Sequence, residues 1–184
     1  MKRHSLSTMY GVGLIGIAPG TFGSLVAALI AYPILAFVPF GYAVLAVGAV
    51  LLTVLGTWHA SRFMRTRNTN HDPKEIVIDE LVGLWFTYVV WFGCLAAISP
   101  SIRVAERLIE GLAASPLHLV VGFVLFRLFD IVKPWPISWA DRYIKGGFGV
   151  MFDDILAAIP AGILLYVIHV FSPVLLGQTL EVNP

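Results

Sequence analysis

Ionisable residues are missing from this chain in blocks. There is no Asp, Glu, Lys or Arg over residues 4–61, and further blank stretches cover 81–102, 111–126 and 155–180. A helix that crosses a bilayer needs about 20 mostly apolar residues. The first stretch has room for two, Phe22–Val38 and Tyr42–Trp58. The Pro39-Phe40-Gly41 between them is a short turn signal, which predicts a helical hairpin. A third span is predicted at Val82–Ser99 and a fifth at Ile155–Leu176. The fourth, near Leu112–Phe126, is short and interrupted by Pro116. It either extends through Arg127 to cross the membrane or packs as a helix buried among the others.

Composition agrees with this pattern and excludes other classes. Of the 184 residues, 58% are hydrophobic and 12% charged, and the mean hydropathy is +0.86. A soluble domain carries about 25% charged residues. With half that supply, a soluble chain of this size would expose large apolar patches. A formal net charge of +1 removes any strong global attraction to nucleic acid. The expected architecture is all-α: one polytopic integral membrane helical bundle over residues 1–184, with about four to five spans. Lys2 and Arg3 are followed by a polar, glycine-rich stretch and no clean cleavage site, so no cleaved signal peptide is expected. The single cysteine, Cys94, lies in an apolar run and reads as a small core residue.

Five spans give an orientation. Lys2 and Arg3, then Arg62, Arg65, Arg67 and Lys74, then Arg127, Lys133, Arg142 and Lys145 all fall on one side, leaving Arg103 and Arg107 opposite. The bias of basic residues toward cytoplasmic loops then places the N-terminus and both long loops, 127–154 among them, in the cytoplasm. Without the fourth span, the four basic residues of the 127–154 loop would lie outside.

That topology gathers the chain's polar segments on one face. Ala18-Pro19-Gly20-Thr21-Phe22-Gly23-Ser24 opens the first span, where the free N–H groups of a helix start favour phosphate. A plainer reading has Thr21 or Ser24 capping the helix. Asp79 and Glu80 stand at the mouth of the third span. Adjacent carboxylates at a bilayer boundary repel each other and resist desolvation, which a divalent cation would offset; alternatively they only complement the helix dipole. Arg127 and Asp130 are i,i+3 neighbours facing the same way, and Pro134 ends the helix at Lys133. Arg127 and Lys133 could grip phosphate while Asp130 binds metal, or Arg127–Asp130 is a surface ion pair. Trp135 and Trp139 suit an interfacial belt. Three glycines at 146, 147 and 149 then precede a second acidic pair, Asp153 and Asp154, at the entrance to the last span.

Five of the 11 acidic residues therefore sit near one interface. Two acidic pairs with an Asp between basic residues suggest a Mg²⁺ site, since hard oxygen ligands suit Mg²⁺ and not zinc. His4, His59, His71, His118 and His169 are scattered without metal-ligand spacing, and His118 and His169 read as hydrogen-bonded core residues. Asp72 and Asp141 are second-line candidates.

Taken together, Ala18–Leu25, Ile78–Gly83, Phe126–Ile137 and Gly146–Ile155 resemble the phosphatidylglycerophosphatase A family of bacterial membrane enzymes, in order and over about residues 10 to 170. The resemblance implies an all-helical fold. It also implies Mg²⁺-dependent removal of the terminal phosphate from phosphatidylglycerophosphate, giving phosphatidylglycerol and inorganic phosphate at the cytoplasmic face of the inner membrane. On this reading Asp79, Glu80, Asp130, Asp153 and Asp154 supply catalytic carboxylates for one or two Mg²⁺ ions. Arg127 and Lys133 neutralise the phosphate, and Thr21, Ser24 and the backbone at Gly20 and Gly23 hold its remaining oxygens. The rivals are a small cation transporter or channel, which predicts ionisable residues at mid-membrane depth, and another lipid phosphotransfer enzyme.

Overall fold

The computed structural model describes residues 6–68, 73–98 and 116–175, with side chains through Phe171. Among these residues all regular structure is helical. A 3-10 segment, Leu6–Leu14, leads into α1 (Pro19–Phe37) and α2 (Gly41–Arg67), followed by α3 (Ile78–Ile98), α4 (Pro116–Val132), the short α5 (Ile137–Tyr143) and α6 (Gly146–Leu175). Lys2, Arg3, His4, His71, Asp72, Arg103, Arg107 and the residues before Pro116 in the fourth expected span lie outside the described residues.

Four helices are long and apolar enough to cross a membrane: Pro19–Phe37, Gly41–Arg67, Ile78–Ile98 and Gly146–Phe171. The helix α4 has 17 residues. Pro116, expected as an interruption, opens α4, where its missing N–H is no loss. The helix then runs on through Arg127 to Val132. Its Leu117, Val120, Val124, Leu128 and Ile131 form one exposed apolar stripe, so α4 lies at the periphery rather than buried. A matching stripe runs down α2 through Val44, Val47, Leu51, Val54 and Trp58. Apolar faces of this extent suit hydrocarbon and not water.

The central element is α3. Of its most apolar window 56% is buried, against 22–33% for the other three candidate spans. It packs against α1, α2, α4 and α6, which is what a helix that is hydrophobic all round requires. Several of its polar atoms find partners inside the bundle, although Trp91 Nε1 is buried without one. The Trp85 indole donates to the Ala27 carbonyl of α1 at 3.1 Å, and the Tyr88 hydroxyl to the Leu119 carbonyl of α4 at 2.8 Å. The Thr53 and Thr87 hydroxyls bond back to carbonyls four residues earlier. Such bonds are favoured where no water can substitute.

The turn at Val38–Phe40 joins α1 and α2 as the expected hairpin, with the Gly41 amide donating to the Val38 carbonyl. Two helices run two turns or more beyond the predicted spans. The helix α2 continues through Arg62 and Arg65 until Asn68 adopts a left-handed conformation and ends it. The helix α6 begins at Gly146, so the stretch expected as a loop holds the end of α4, all of α5 and two turns of α6. These extensions carry polar residues that a hydropathy window excludes, although the backbone hydrogen bonds continue unbroken.

Alternating helix directions bring the starts of α1, α3 and α6 and the ends of α2 and α4 to one end of the bundle. At the opposite end His118 and His169 share a 3.0 Å hydrogen bond, and the His118 ring stacks on Trp91. That is the structural role expected for these histidines.

Candidate active site

The loop before α3 is pinned by the N-terminal segment: the Val77 amide donates to the Ser7 carbonyl at 2.9 Å. This fixes where α3 starts, at Ile78, and so places Asp79 and Glu80 in its first turn. Asp79 is buried, 5% exposed, and Asp154 of α6 is 3% exposed. Asp79, Glu80 and Asp154 each place one carboxylate oxygen so that all three lie within 4.8 Å of one another. Glycine at 83, one turn below Asp79, makes this convergence possible. A Cβ there would lie 2.5 Å from the Phe126 ring of α4 and 3.1 Å from Cβ of Asp154.

The basic residues enter from α4 and its end. Arg127 Nη1 lies 2.6 Å from Asp130 Oδ2 and 3.7 Å from Glu80 Oε1. It thus joins the α4 carboxylate to the α3 pair. Lys133, in a left-handed conformation just past α4, turns its ammonium to Asp153 of α6 and to Asp141 of α5, the latter at 2.9 Å. Burial works against the Lys133 charge, but the Asp153 carboxylate, with Asp141 and Asp154, holds its pKa above the usual lysine value. For Asp141, partial burial is outweighed by the Lys133 ammonium and Lys145, which hold its carboxyl below the usual range.

The structure thus brings Asp79, Glu80 and Asp154 together as a trio, with Asp130 and Asp153 beside it in ion pairs. Asp130 and Asp153 both stand within electrostatic reach of Asp154. Asp153 and Asp154 are seven and eight residues into α6, deeper than an entrance position.

The α1 segment contributes differently from the phosphate cradle expected there. A Cβ on Gly20 would lie 2.0 Å from Glu80 Oε1 and 3.2 Å from Arg127 Nη1, so Gly20 backs directly onto the site. Gly23 packs on Val77 and on the Glu80 stem. The Ser24 hydroxyl donates to the Gly20 carbonyl at 3.0 Å within a buried turn. The residue before α1 is Ala18, and no side chain caps the helix, so neither Thr21 nor Ser24 does so. Pro19 has no N–H, and the Thr21 and Phe22 amides donate to the Ala18 carbonyl. Gly20 is therefore the backbone donor of the first turn best placed for a ligand.

Sequence reasoning missed two features. Asp141, a second-line candidate in the sequence, is the second partner of Lys133, a pairing that depends on the α5 turn. The role of Gly83 was available as a signal, since glycine inside an apolar helical run points to close packing.

The arrangement sets five carboxylates against two cations in a largely desolvated space. Among the described side chains, Glu80 Oε2, Asp153 Oδ1 and Asp154 Oδ2 are buried without a hydrogen-bond partner, as is Arg127 Nε. Each such group costs about 1–3 kcal/mol, more if charged. Oxygen-only donors in this state match what a hard divalent cation takes, and the Arg127 N–H beside them can serve an anion. Asp79, Glu80 and Asp154 could hold such a cation.

A family model described as Phosphatidylglycerophosphatase A matches residues 5–169. A protein of Escherichia coli (strain K12) named Phosphatidylglycerophosphatase A is 35% identical over 171 residues, covering 90% of this chain and 83% of its own length. A Haemophilus influenzae protein of the same name is 35% identical over 166 residues, covering 90% of this chain and 88% of its own. A Bacteroides thetaiotaomicron protein, provisionally named phosphatidylinositol-3-phosphatase, is 33% identical over 174 residues, covering 91% of this chain and 96% of its own. No solved structure matches the chain.

Proposed function

The chain belongs to the phosphatidylglycerophosphatase A family, and from that premise we propose that it hydrolyses the terminal phosphomonoester of phosphatidylglycerophosphate, yielding phosphatidylglycerol and inorganic phosphate with Mg²⁺ as cofactor. The reaction belongs to glycerophospholipid synthesis in the bacterial inner membrane. One observation carries the reading: three carboxylate oxygens within 4.8 Å of one another, joined through Glu80 to Arg127, at one end of a bundle of membrane-length helices. A lipid phosphate sits at that boundary, with its acyl chains in the bilayer.

Asp79, Glu80 and Asp154 would hold Mg²⁺, with Asp130 and Asp153 adjacent. When bound, the ion would polarise phosphoryl oxygens and lower the pKa of the attacking water. Arg127 supplies the permanent positive charge and the unpartnered Nε–H suited to a phosphate oxygen. Lys133, kept charged by Asp153 and Asp141, offsets the second phosphate charge. Gly20 leaves room for the Glu80 carboxylate to reach the centre, since any side chain there would fall on it.

The orientation follows from charge. Arg62, Arg65, Arg67, Lys74, Arg127, Lys133, Arg142 and Lys145 all lie at the acidic end of the bundle, which favours that end being cytoplasmic, with α4 as a fifth crossing. A cation channel is disfavoured because the carboxylates cluster at one end instead of at intervals along a path.

The test is phosphate release by the purified protein in detergent, from phosphatidylglycerophosphate and, separately, from phosphatidylinositol 3-phosphate. Release from the former should need Mg²⁺, stop with EDTA and return when Mg²⁺ is restored. Release only from the phosphoinositide overturns the substrate assignment, and release indifferent to chelation overturns the cofactor.

A further inference from the structure

We propose that an apolar groove beside the carboxylate centre is the seat of one acyl chain of a phosphomonoester lipid. This deepens the reading above and rests on it for the headgroup. The groove has a volume of about 330 Å³ and is walled by Phe129 of α4, Pro134 and Ile137 of the connecting turn, and Leu156, Pro160 and Ile163 of α6. That is the lower end of small-ligand pockets, about 300–1,000 Å³. Trp135 stands at its rim, 81% exposed.

Three relationships tie the groove to the polar centre. On α6, Asp153, Leu156, Pro160 and Ile163 recur at spacings of three and four, so one helix face carries both the carboxylate and the groove floor. On α4, Phe129 adjoins Asp130 and stands one turn before Lys133. Pro134 follows Lys133, whose ammonium pairs with Asp153. The polar end of the groove therefore opens where the cations stand, and the rest is apolar.

Length selects the occupant. From Asp153 to Ile163 is ten residues of helix, about 15 Å. That is half of a hydrocarbon core about 30 Å thick, the depth of one leaflet. A chain attached to a headgroup held by Arg127 and Lys133 would descend this far and meet Ile159 and Ile163, which are 43% and 46% exposed toward the surroundings of the bundle. Spread over about 15 Å, a volume of about 330 Å³ is too narrow a track for a partner helix, which is about 10–12 Å across.

The experiment uses the full chain in phosphatidylcholine nanodiscs containing a phosphatidic acid with a diazirine midway along one acyl chain. After irradiation, peptide mass spectrometry should find label concentrated on Phe129 and residues 156–163, and excess unlabelled phosphatidylglycerophosphate should displace it. Ile163→Trp, or Ile159→Trp if the first fails to fold, should remove that label. The same variant should raise KM for the dioleoyl substrate about ten-fold while leaving turnover of the deacylated headgroup phosphate unchanged. Label spread evenly over the exposed stripes of α2 and α4 overturns the proposal, as does an equal effect of the variant on acylated and deacylated substrates. Groove labelling without phosphate release from either substrate leaves the groove standing and overturns the substrate reading instead.

Discussion

Arg127 of α4 stands 3.7 Å from Glu80 of α3, and the same Nη1 lies 2.6 Å from Asp130 one turn along its own helix. A planar fork can serve two carboxylates through one nitrogen and hold further N–H groups in a fixed plane for phosphate, whereas an ammonium has three donors and no such plane. Arg127→Ala should lower kcat/KM by about 100-fold or more, and Arg127→Lys should recover only part of that. The alanine variant also leaves two half-buried carboxylates uncompensated, a loss of about 3 kcal/mol. Steady-state kinetics and denaturation in detergent read the two effects separately. Full activity in Arg127→Lys would show that only charge matters at this position.

When ionised, Asp79, Glu80 and Asp154 repel one another in a largely buried space, and a bound cation would relieve that repulsion. Asp154→Asn should remove activity and yet raise the melting temperature measured in EDTA. Mg²⁺ should stabilise the wild type and have little effect on the variant. A variant less stable than wild type under chelation would remove the argument that these carboxylates destabilise the cation-free protein.

Gly83 allows Phe126 and Asp154 to approach α3. Gly83→Ala forces the Phe126 ring to move and should destabilise the bundle by about 1–3 kcal/mol. A smaller ring partner makes room, so Phe126→Leu should recover part of that loss in the double variant. Additive losses would mean the two positions are uncoupled.

For Lys133 and Asp141 the pH dependence has opposite signs. The Lys133 pKa is raised on folding, so its contribution is complete below the unfolded value near 10.4 and is lost as pH rises through the higher folded value. The Asp141 pKa is lowered, so its contribution is complete above about 3.9 and is lost as pH falls through the lower folded value. Between about pH 5 and 10 neither group changes charge. The stability curves of wild type and Asp141→Asn should therefore run parallel between about pH 8 and 10 and converge in acid, their separation below about 1 kcal/mol because the Asp141 side chain is 47% exposed. Divergence near pH 9 would contradict the assignment.

Much of this was legible in the sequence for a physical reason. Burial in hydrocarbon disfavours charge, so four of the five predicted spans coincide with helices long and apolar enough to cross a membrane, and the retained acids cluster at one end of them. What the sequence could not carry was contact between helices. Nothing local to Glu80 announces Arg127, 47 positions away, and the pairing of Lys133 with Asp141 needs the turn into α5. Helix ends were misjudged for a related reason: hydropathy marks where apolar side chains stop, and α2 and α6 continue as polar helix past that point. Ser24 is a candidate phosphate contact in the sequence because it stands in a glycine-rich helix start. Here the hydroxyl is taken by the Gly20 carbonyl.

Asp153 and Asp154 lie two turns inside α6, about 10–12 Å along the helix from its first residue. Asp79 and Glu80 reach the same centre from the first turn of α3, so it stands at the end of the bundle and not midway along it. On the proposed reading that level sets the traffic of the reaction. Raising a lipid out of its leaflet forfeits about 0.8 kcal/mol for every methylene exposed, and a centre level with the headgroup makes that ascent unnecessary, leaving water as the reactant that travels.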